Sequence, residues 1–313
     1  MEVFRKLYPR EFLKKFTSQG VRPDGRKLER ARKLNVAAGT ITSASGSAVV
    51  TLGATRVVAG VRAELARVAT KKVVDGADAA AAAGETAFAV VGTAEDAPLF
   101  AQSGQSGLDC SAQHVAVNVD LPPLCSARFR GGAGARLPAE ALVVAQRLNA
   151  VVRAAGAALV DPAQFVFDDE GLCTWFLHVD VVCTNCDGAV YDAALVAVVA
   201  ALRTVTLWRG HVDDDTARPV AHADSAFRLA LGSVPVASSF ATFDDAVLVD
   251  PTSEEEALQD ARITVTCDSA SGRVYELAKT LGTPVPVRTI SSCVQTAQKR
   301  AARVGSLIQT ISV

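Results

Sequence analysis

Trp175 to Thr206 reads WFLHVDVVCTNCDGAVYDAALVAVVAALRTVT, the stretch that most narrows the folds open to this chain. From Trp175 to Cys183 every residue except His178 and Asp180 is apolar or β-branched, the pattern of a mostly buried strand. Asn185 to Gly188 supplies turn chemistry. Ala193 to Thr206 is then apolar almost all round, which a helix tolerates when it is buried against a sheet. Asp192 stands where the N-cap of that helix belongs. A strand, a tight turn and a helix N-terminus in succession also make an anion site, because the first backbone N–H groups point outward and the dipole favours negative charge.

The residues at that turn are Asp187, Gly188, Ala189, Val190 and Tyr191. They follow an RPDGR run (Arg22–Arg26), a GSAVVTLG run (Gly46–Gly53) with Thr55–Glu64, and VNVDLPPLCSARFR (Val117–Arg130); VDPTSEEE (Val249–Glu256) lies further on. Together these segments resemble the ribonuclease PH family of phosphorolytic 3′→5′ exoribonucleases. Within that family they are similar to the non-catalytic ring subunits of the eukaryotic RNA exosome, in the branch called ring component 43. The resemblance spans roughly residues 10–310 apart from an insertion; RPDGR alone would be a weak signal. It implies an α/β (α+β) fold of the ribosomal protein S5 domain 2-like kind, a duplicated mixed β-sheet with covering helices.

Active members of the family typically carry Asp-Gly-Gly-Thr/Ser-Arg at this turn, the hydroxyl and the guanidinium holding phosphate. Here the matching positions have neither, so Ala189, Val190, Tyr191 and Asp192 form a degenerate phosphate site. Asp192 is expected to place a carboxylate where a phosphate dianion would sit, and like charges that close repel. Active members also place acids ending Asp-x-Asp in the second half to hold a divalent metal. This chain has Glu256 and Asp260, but Arg262 replaces the last acid. A cation there is expected to pair with Asp260 or Glu256, since Mg²⁺ needs oxygen ligands. The acidic run reads as a solvated turn with an internal Arg pair, and no metal or cofactor is expected.

The remaining features fit an ordinary soluble protein. Its 313 residues, 50% hydrophobic and 21% charged, can fill one large core or two smaller lobes. No run reaches the roughly 18–20 uncharged apolar residues of a membrane span, and MEVFRKLYPREFLKKF has no small-residue cleavage site; it reads as a short amphipathic helix offering Phe4, Leu7, Phe12, Leu13 and Phe16 for burial. The seven cysteines, an odd number, point to buried thiols in a reducing compartment. Cys183-Thr-Asn-Cys186 is a single CxxC with no second pair at zinc-like spacing, so both are expected to be structural. The four histidines form no metal-binding pattern, and His178 is expected to be a satisfied core or interface residue. Residues 1–33 hold eleven Lys and Arg against four acids, a net of +7; with the whole chain at −1, the remainder carries −8. An acidic body is a poor polyanion binder by itself. The basic stretch either touches RNA or an acidic partner face, or is a solvated face with Arg–Asp contacts around Arg22, Asp24 and Arg26.

The spacing divides the chain into an N-terminal helix and basic segment (1–29), a first domain (30–212, with an Ala-, Gly- and Asp-rich insertion at about 66–114) and a second domain (217–313). The first opens with strands at Lys33–Val36, Ala48–Leu52 and Arg56–Glu64. It then has a helix from Pro138 to Ala158 with Leu142, Ala145, Leu148, Val152 and Ala155 on one face, stopped by Asp161-Pro162. His211 to Pro219 reads as a polar linker. The second domain has strands at Ser233–Phe240, Ala246–Val249, Ile263–Asp268 and Arg273–Glu276. It ends in a helix whose Ile290, Val294, Ala297, Ala301, Val304, Ile308 and Ile311 make a long apolar seam. The insertion reads as a flexible loop with Phe88, Val90, Val91, Leu99 and Phe100 able to anchor part of it.

The resemblance implies a non-catalytic structural subunit of a hexameric ring that threads single-stranded RNA to associated nucleases in rRNA maturation and mRNA turnover. Its partners are then other ribonuclease PH-like ring subunits and S1/KH-type cap subunits, and its location nucleus, nucleolus and cytoplasm. An obligate hetero-oligomer is expected, with the C-terminal helix and exposed strand edges buried against a homologous subunit. An active phosphate-dependent exoribonuclease is the alternative, and an adaptor outside the exosome a third. Arg128 and Arg130 are the RNA-binding candidates. The prolines before them favour an extended path that puts both arginines on one face, poised for RNA phosphates or for acids of a neighbouring subunit.

Overall fold

In the computed structural model, which describes residues 2–68, 88–90, 114–129, 139–168, 173–213, 219–222, 224–244, 246–280 and 282–310, two short helices come first, α1 (Glu2–Leu7) and α2 (Pro9–Thr17). The sequence predicts one helix here. Pro9 lacks an N–H to continue the first and starts the second. Leu13 is buried, Phe12 and Phe16 are half-buried, and Leu7 is exposed; the Phe4 side chain lies outside the described set.

The first lobe is a mixed sheet of β1 (Leu34–Ala38), β2 (Gly46–Leu52), β3 (Thr55–Val68), β4 (Phe88–Val90), β5 (Val115–Asp120) and β6 (Cys173–Asn185). The order is β1-β2-β3-β6-β5, with β4 beside the end of β3; only the β5–β6 pairing is parallel. Apart from Ala66–Val68 at the end of β3, the β4 strand and His114, the insertion lies outside the described residues. Helix α3 (Ala139–Ala155) packs on β5. Its buried residues are Ala141, Leu148, Val151, Val152 and Ala155, whereas Leu142 is exposed, so the apolar stripe is rotated from the predicted one. The helix gives way at Gly156 to a short 3₁₀ turn, ahead of Asp161, whose side chain instead caps a second 3₁₀ turn at Pro162–Phe165. Pro138 lies outside the described residues.

Helix α4 (Val190–Arg203) follows, and every residue from Tyr191 to Leu202 is buried. The reason is that it lies between two sheets, against β2, β3 and β6 on one side and the first strand of the second lobe on the other. Each Val or Leu fully withdrawn from water contributes about 1.5–3 kcal/mol, so an apolar surface on all sides is stabilising only in such a sandwich. The predicted linker is partly ordered. β7 (Thr206–Leu207) pairs with β10 (Phe227–Arg228), and β8 (Gly210–Val212) pairs with β9 (Pro219–Ala221), so His211 and Pro219 stand in a small hairpin.

The second lobe is antiparallel: β11 (Pro235–Phe243), β12 (Ala246–Val249), β13 (Ala261–Asp268) and β14 (Val274–Thr280), in the order β12-β11-β13-β14, with α5 (Ser253–Leu258) between β12 and β13. The last helix, α6 (Val287–Gln309), lies on β11 and β13 and buries Cys293, Ala297, Ala301, Val304, Gly305 and Ile308 there. The predicted seam is therefore satisfied within the chain rather than kept for a partner, because the second sheet needs a cover on that face. Ile311 lies outside the described residues. One continuous apolar core runs from β2 through α4 to α6 and joins the lobes.

Candidate functional site

The end of β6 delivers the chain to the N-terminus of α4 through two left-handed residues, Gly188 (φ 78°) and Ala189 (φ 49°). The N-cap is Ala189, with no side-chain cap, and Asp192 sits one turn inside the helix. This corrects both expectations for Asp192. Its carboxylate, 1% exposed, is turned away from the anion position: it accepts from Ser239 N–H at 2.9 Å and Ser239 Oγ at 2.7 Å and pairs with Arg300 Nη1 at 2.9 Å. Strand β11 and helix α6 cover that side of α4, and their donors claim the group.

Another carboxylate fills the anion position. Ala189 N–H donates to Glu256 Oε1 at 2.9 Å, and Glu256 Oε2 lies 3.1 Å from Arg262 Nη2 and 3.8 Å from Arg128 Nη1. A helix N-terminus and two guanidinium groups, the ingredients of a phosphate site, are thus met by a side chain of the same protein. Glu256 is held there by α5. The predicted solvated turn is a helix closed by a capping box, in which Thr252 Oγ1 accepts from Glu255 N–H and Glu255 accepts from Thr252 N–H at 2.9 Å. Of its three glutamates only Glu254 is exposed.

The other degenerate positions are equally committed. Val190 is half-buried against the core. Tyr191, standing where active relatives have arginine, donates its hydroxyl to Glu276 Oε2 at 2.6 Å and carries Arg147 over its ring at 4.0 Å. Burial, then the facing Glu276 carboxylate, push this phenol far above its ordinary range, so it remains a neutral donor. Asp260 accepts from Arg10 at 2.8 Å and from Asp244 N–H at 2.8 Å. With Arg262 and Arg10 spanning the acids, the residues present do not fit a divalent metal, which needs free oxygen ligands. Among the described residues, no group of three or more His, Cys, Asp and Glu is placed to hold one.

Two residues that sequence reasoning did not single out brace the whole arrangement. Arg32, 7% exposed at its side chain, grips fully buried Asp250 at 2.7 and 3.0 Å and reaches the Asp187 carbonyl at 2.6 Å and the Gly188 carbonyl at 3.2 Å. It thereby ties the turn before α4 to the loop before α5. Asp250 lay inside a quoted run, but a lone Arg among eleven basic residues gave no local signal for Arg32. Arg22 is completely buried, pairs with Glu255 and donates to the Leu28 and Val249 carbonyls, while Arg26 bonds Asp24, as the motif led one to expect. Much of the remaining basic segment faces acids of the second lobe: Arg5 with Glu254, Arg10 and Lys14 with Asp244. Gly188 is a tight point, since a Cβ there would come within 2.6 Å of the Pro251 carbonyl. Gly188→Ala, strained in φ as well, is expected to cost more than about 1 kcal/mol in urea unfolding and to loosen the Ala189–Glu256 bond; an unchanged midpoint would refute the close approach.

The Arg128 loop departs from its predicted extended path. Residues 123–125 turn, and Ala127–Phe129 form one 3₁₀ turn that buries Phe129 and leaves Arg128 outside. Turn geometry wins because the Phe129 ring finds a place in the core. Arg128 Nη2 meets both Glu140 oxygens, at 2.7 and 2.6 Å, in its own chain; Arg130 lies outside the described residues. His178 pairs with Glu64 at 3.3 Å and is a satisfied strand residue.

Two lobes closed around a buried helix, with a carboxylate of the same chain on that helix's N-terminus, define a two-lobed α/β protein. Residues 30–207 match domain 1 of the 3′ exoribonuclease family, the RNase PH family, and residues 233–300 match its domain 2. The chain belongs to that family. The exosome complex component rrp43 of Schizosaccharomyces pombe is 28% identical over 298 residues, 95% of this chain and 94% of that protein. The exosome complex component Rrp42 of Methanopyrus kandleri is 28% identical over 286 residues, 91% of this chain and 90% of that one. Among solved structures, an Archaeoglobus fulgidus exosome with RNA bound to the active site has the same fold, with a TM-score of 0.68 at 22% identity over 95% of this chain and 96% of its own. An archaeal exosome core gives 0.66 at 20% identity over 96% of each.

Proposed function

We propose that this chain is a non-catalytic ring subunit of an RNA exosome, a wall of the channel through which single-stranded RNA is threaded to nucleases elsewhere in the assembly. The observation that carries this reading is Glu256 seated on the α4 N-terminus, where attacking phosphate would have to bind. Phosphoryl transfer draws on preorganised cations worth several kcal/mol each, and here Arg128 and Arg262 are neutralised by Glu140 and Glu256. Its partners are other ribonuclease PH-like subunits and S1/KH-type caps, and its place is the nucleus, nucleolus and cytoplasm. The surfaces left for ring neighbours include the outer strand β14, with Val274 and Leu277 exposed, and Leu142 and Val143 on α3. For Arg128 to contact RNA it has to exchange Glu140 for a phosphate.

The deciding experiment incubates the purified chain, alone and within its ring, with RNA and inorganic phosphate. No nucleoside diphosphate attributable to this subunit is expected. Release that disappears on Asp260→Ala would establish an active exoribonuclease instead. A companion variant, Glu256→Ala, is expected to uncover the plugged site. Inorganic phosphate at 10 mM should then raise its Tm measurably while leaving the parent unmoved, since a ligand at 100 times its Kd adds about 2.7 kcal/mol. Identical phosphate responses in both proteins would remove the plug from the account.

A further inference from the structure

We propose that Cys186 is a peroxide-reactive thiol and that Cys183 resolves it into an intrachain disulfide. Six of the seven cysteines lie among the described residues and all six are free thiols. Three of them, Cys125, Cys183 and Cys186, are gathered at the end of β6 beside the plugged anion site.

In a regular strand, residues three apart face opposite ways. Here a bulge intervenes: Arg56 pairs with Asn185 and Val57 with Cys183, leaving Thr184 unopposed. Thr184 and Asn185 both face solvent, so the inward side resumes at Cys186 and the two thiols come to share a face. Cys183 Sγ donates to the Asn185 carbonyl at 3.3 Å, and the Cys125 and Cys186 side chains are its near neighbours. Cys186 N–H donates to the Cys125 carbonyl at 3.1 Å, which pins the cluster to the loop carrying Arg128. Cys183 is 1% exposed and Cys125 4%, whereas Cys186 is only half-buried. One thiol is thus open to a small oxidant, and its nearest thiol neighbour is held in the core.

The surroundings favour a thiolate at the open position. The neighbouring Cys183 thiol acts most strongly; burial opposes it; the Gly188 N–H and the Arg128 charge then outweigh Glu256, and Cys186 is drawn down to about 7. The Cys186 side chain, together with burial, holds Cys183 far up as a protonated thiol. Cys267 and Cys293, with burial as their largest influence, are pushed up to about 11. An attacking thiol with a pKa near ambient pH is the most effective.

The chemistry balances with a hydroperoxide as oxidant. The Cys186 thiolate attacks the outer peroxide oxygen, the O–O bond breaks, and the alkoxide leaves and takes a proton, giving a sulfenic acid. The Cys183 sulfur then attacks Cys186, the S–O bond breaks, and water departs with the Cys183 proton. Two thiols have lost two electrons to the peroxide, and the sulfurs have closed to about 2.05 Å.

The test uses the full chain within its complex and hydrogen peroxide as the probe. Alkylation at pH 7, read by mass spectrometry, should be at least about ten-fold faster at Cys186 than at Cys267 and Cys293. Peroxide should yield a Cys183–Cys186 disulfide, reversed by a dithiol. In Cys183→Ser a sulfenic acid should accumulate at Cys186 and be captured by dimedone. Cys186 reacting no faster than the buried thiols would overturn the proposal, and a disulfide to Cys125 in its place would overturn the assignment of Cys183. The alkylation comparison needs no variant, so it stands even if Cys183→Ser folds poorly.

Discussion

Asp250→Ala is expected to destabilise the protein by about 3–5 kcal/mol, the cost of leaving a buried charge without its partner. Arg32 loses its closest carboxylate and keeps the more distant Asp187 carboxylate, at 3.4 Å, with the Asp187 and Gly188 carbonyls. Asp250 also has φ 56°, where alanine is strained and asparagine is tolerated. Asp250→Asn keeps shape and backbone, removes the charge and turns one of the two oxygens that accept from Arg32 into a donor. The pH dependence follows from the direction of the shift. Burial by itself raises the Asp250 carboxyl, but the hydrogen bonds of Arg32 and the charges of Arg300 and Arg32 leave it below the ordinary carboxylate range. A group depressed in the folded state contributes stability that is present above its unfolded pKa, about 3.9, and is lost as pH falls through the folded value. Urea midpoints measured from pH 7 down to pH 3 should converge for the parent and Asp250→Asn at the acid end. Parallel curves across the whole range would show that Asp250 does not carry the effect.

Local periodicity made the lobes legible. Alternation and apolar runs placed the strands of both sheets to within a few residues, except β4 and β5 of the first sheet, which were not foreseen, and the all-apolar run to Thr206 foretold a buried helix. It could not show that α4 is covered by two sheets, since the second cover comes from β11, some forty residues on. The same non-local contact explains the misreading of Asp192. An acid before an apolar run is the local signature of an N-cap, yet Ser239 and Arg300 are brought to it only by tertiary closure. The C-terminal seam was read correctly as apolar and assigned to the wrong partner, because spacing says that a face must be covered and is silent about what covers it. In the candidate site, the loss of hydroxyl and guanidinium could be read from the letters at Val190 and Tyr191. The plug could not: Glu256 reaches Ala189 across 67 residues, and Arg32 reaches Asp250 across 218.

Asp192→Ala is expected to be as costly as the loss of Asp250, and it probes the joint between the lobes. The carboxylate lies in the first-lobe helix α4 while both of its partners belong to the second lobe, Ser239 on β11 and Arg300 on α6. Truncation leaves the Ser239 N–H and hydroxyl and the Arg300 guanidinium buried without acceptors, so about 3–5 kcal/mol should be lost. Arg300→Met should cost less, because the methionine can follow the same apolar path along α6 and Ser239 still satisfies the acid. If the pair acts as one unit, the double variant is more stable than the sum of the single losses predicts, with a coupling of about 0.5–3 kcal/mol. Chemical denaturation of the four proteins gives the cycle directly. Losses that add to within about 0.3–0.5 kcal/mol would mean independent sites, and the lobes would then be held by the apolar core alone. A measured coupling instead identifies Asp192 as a structural latch, with the first turn of α4 fastening the two halves of the chain together.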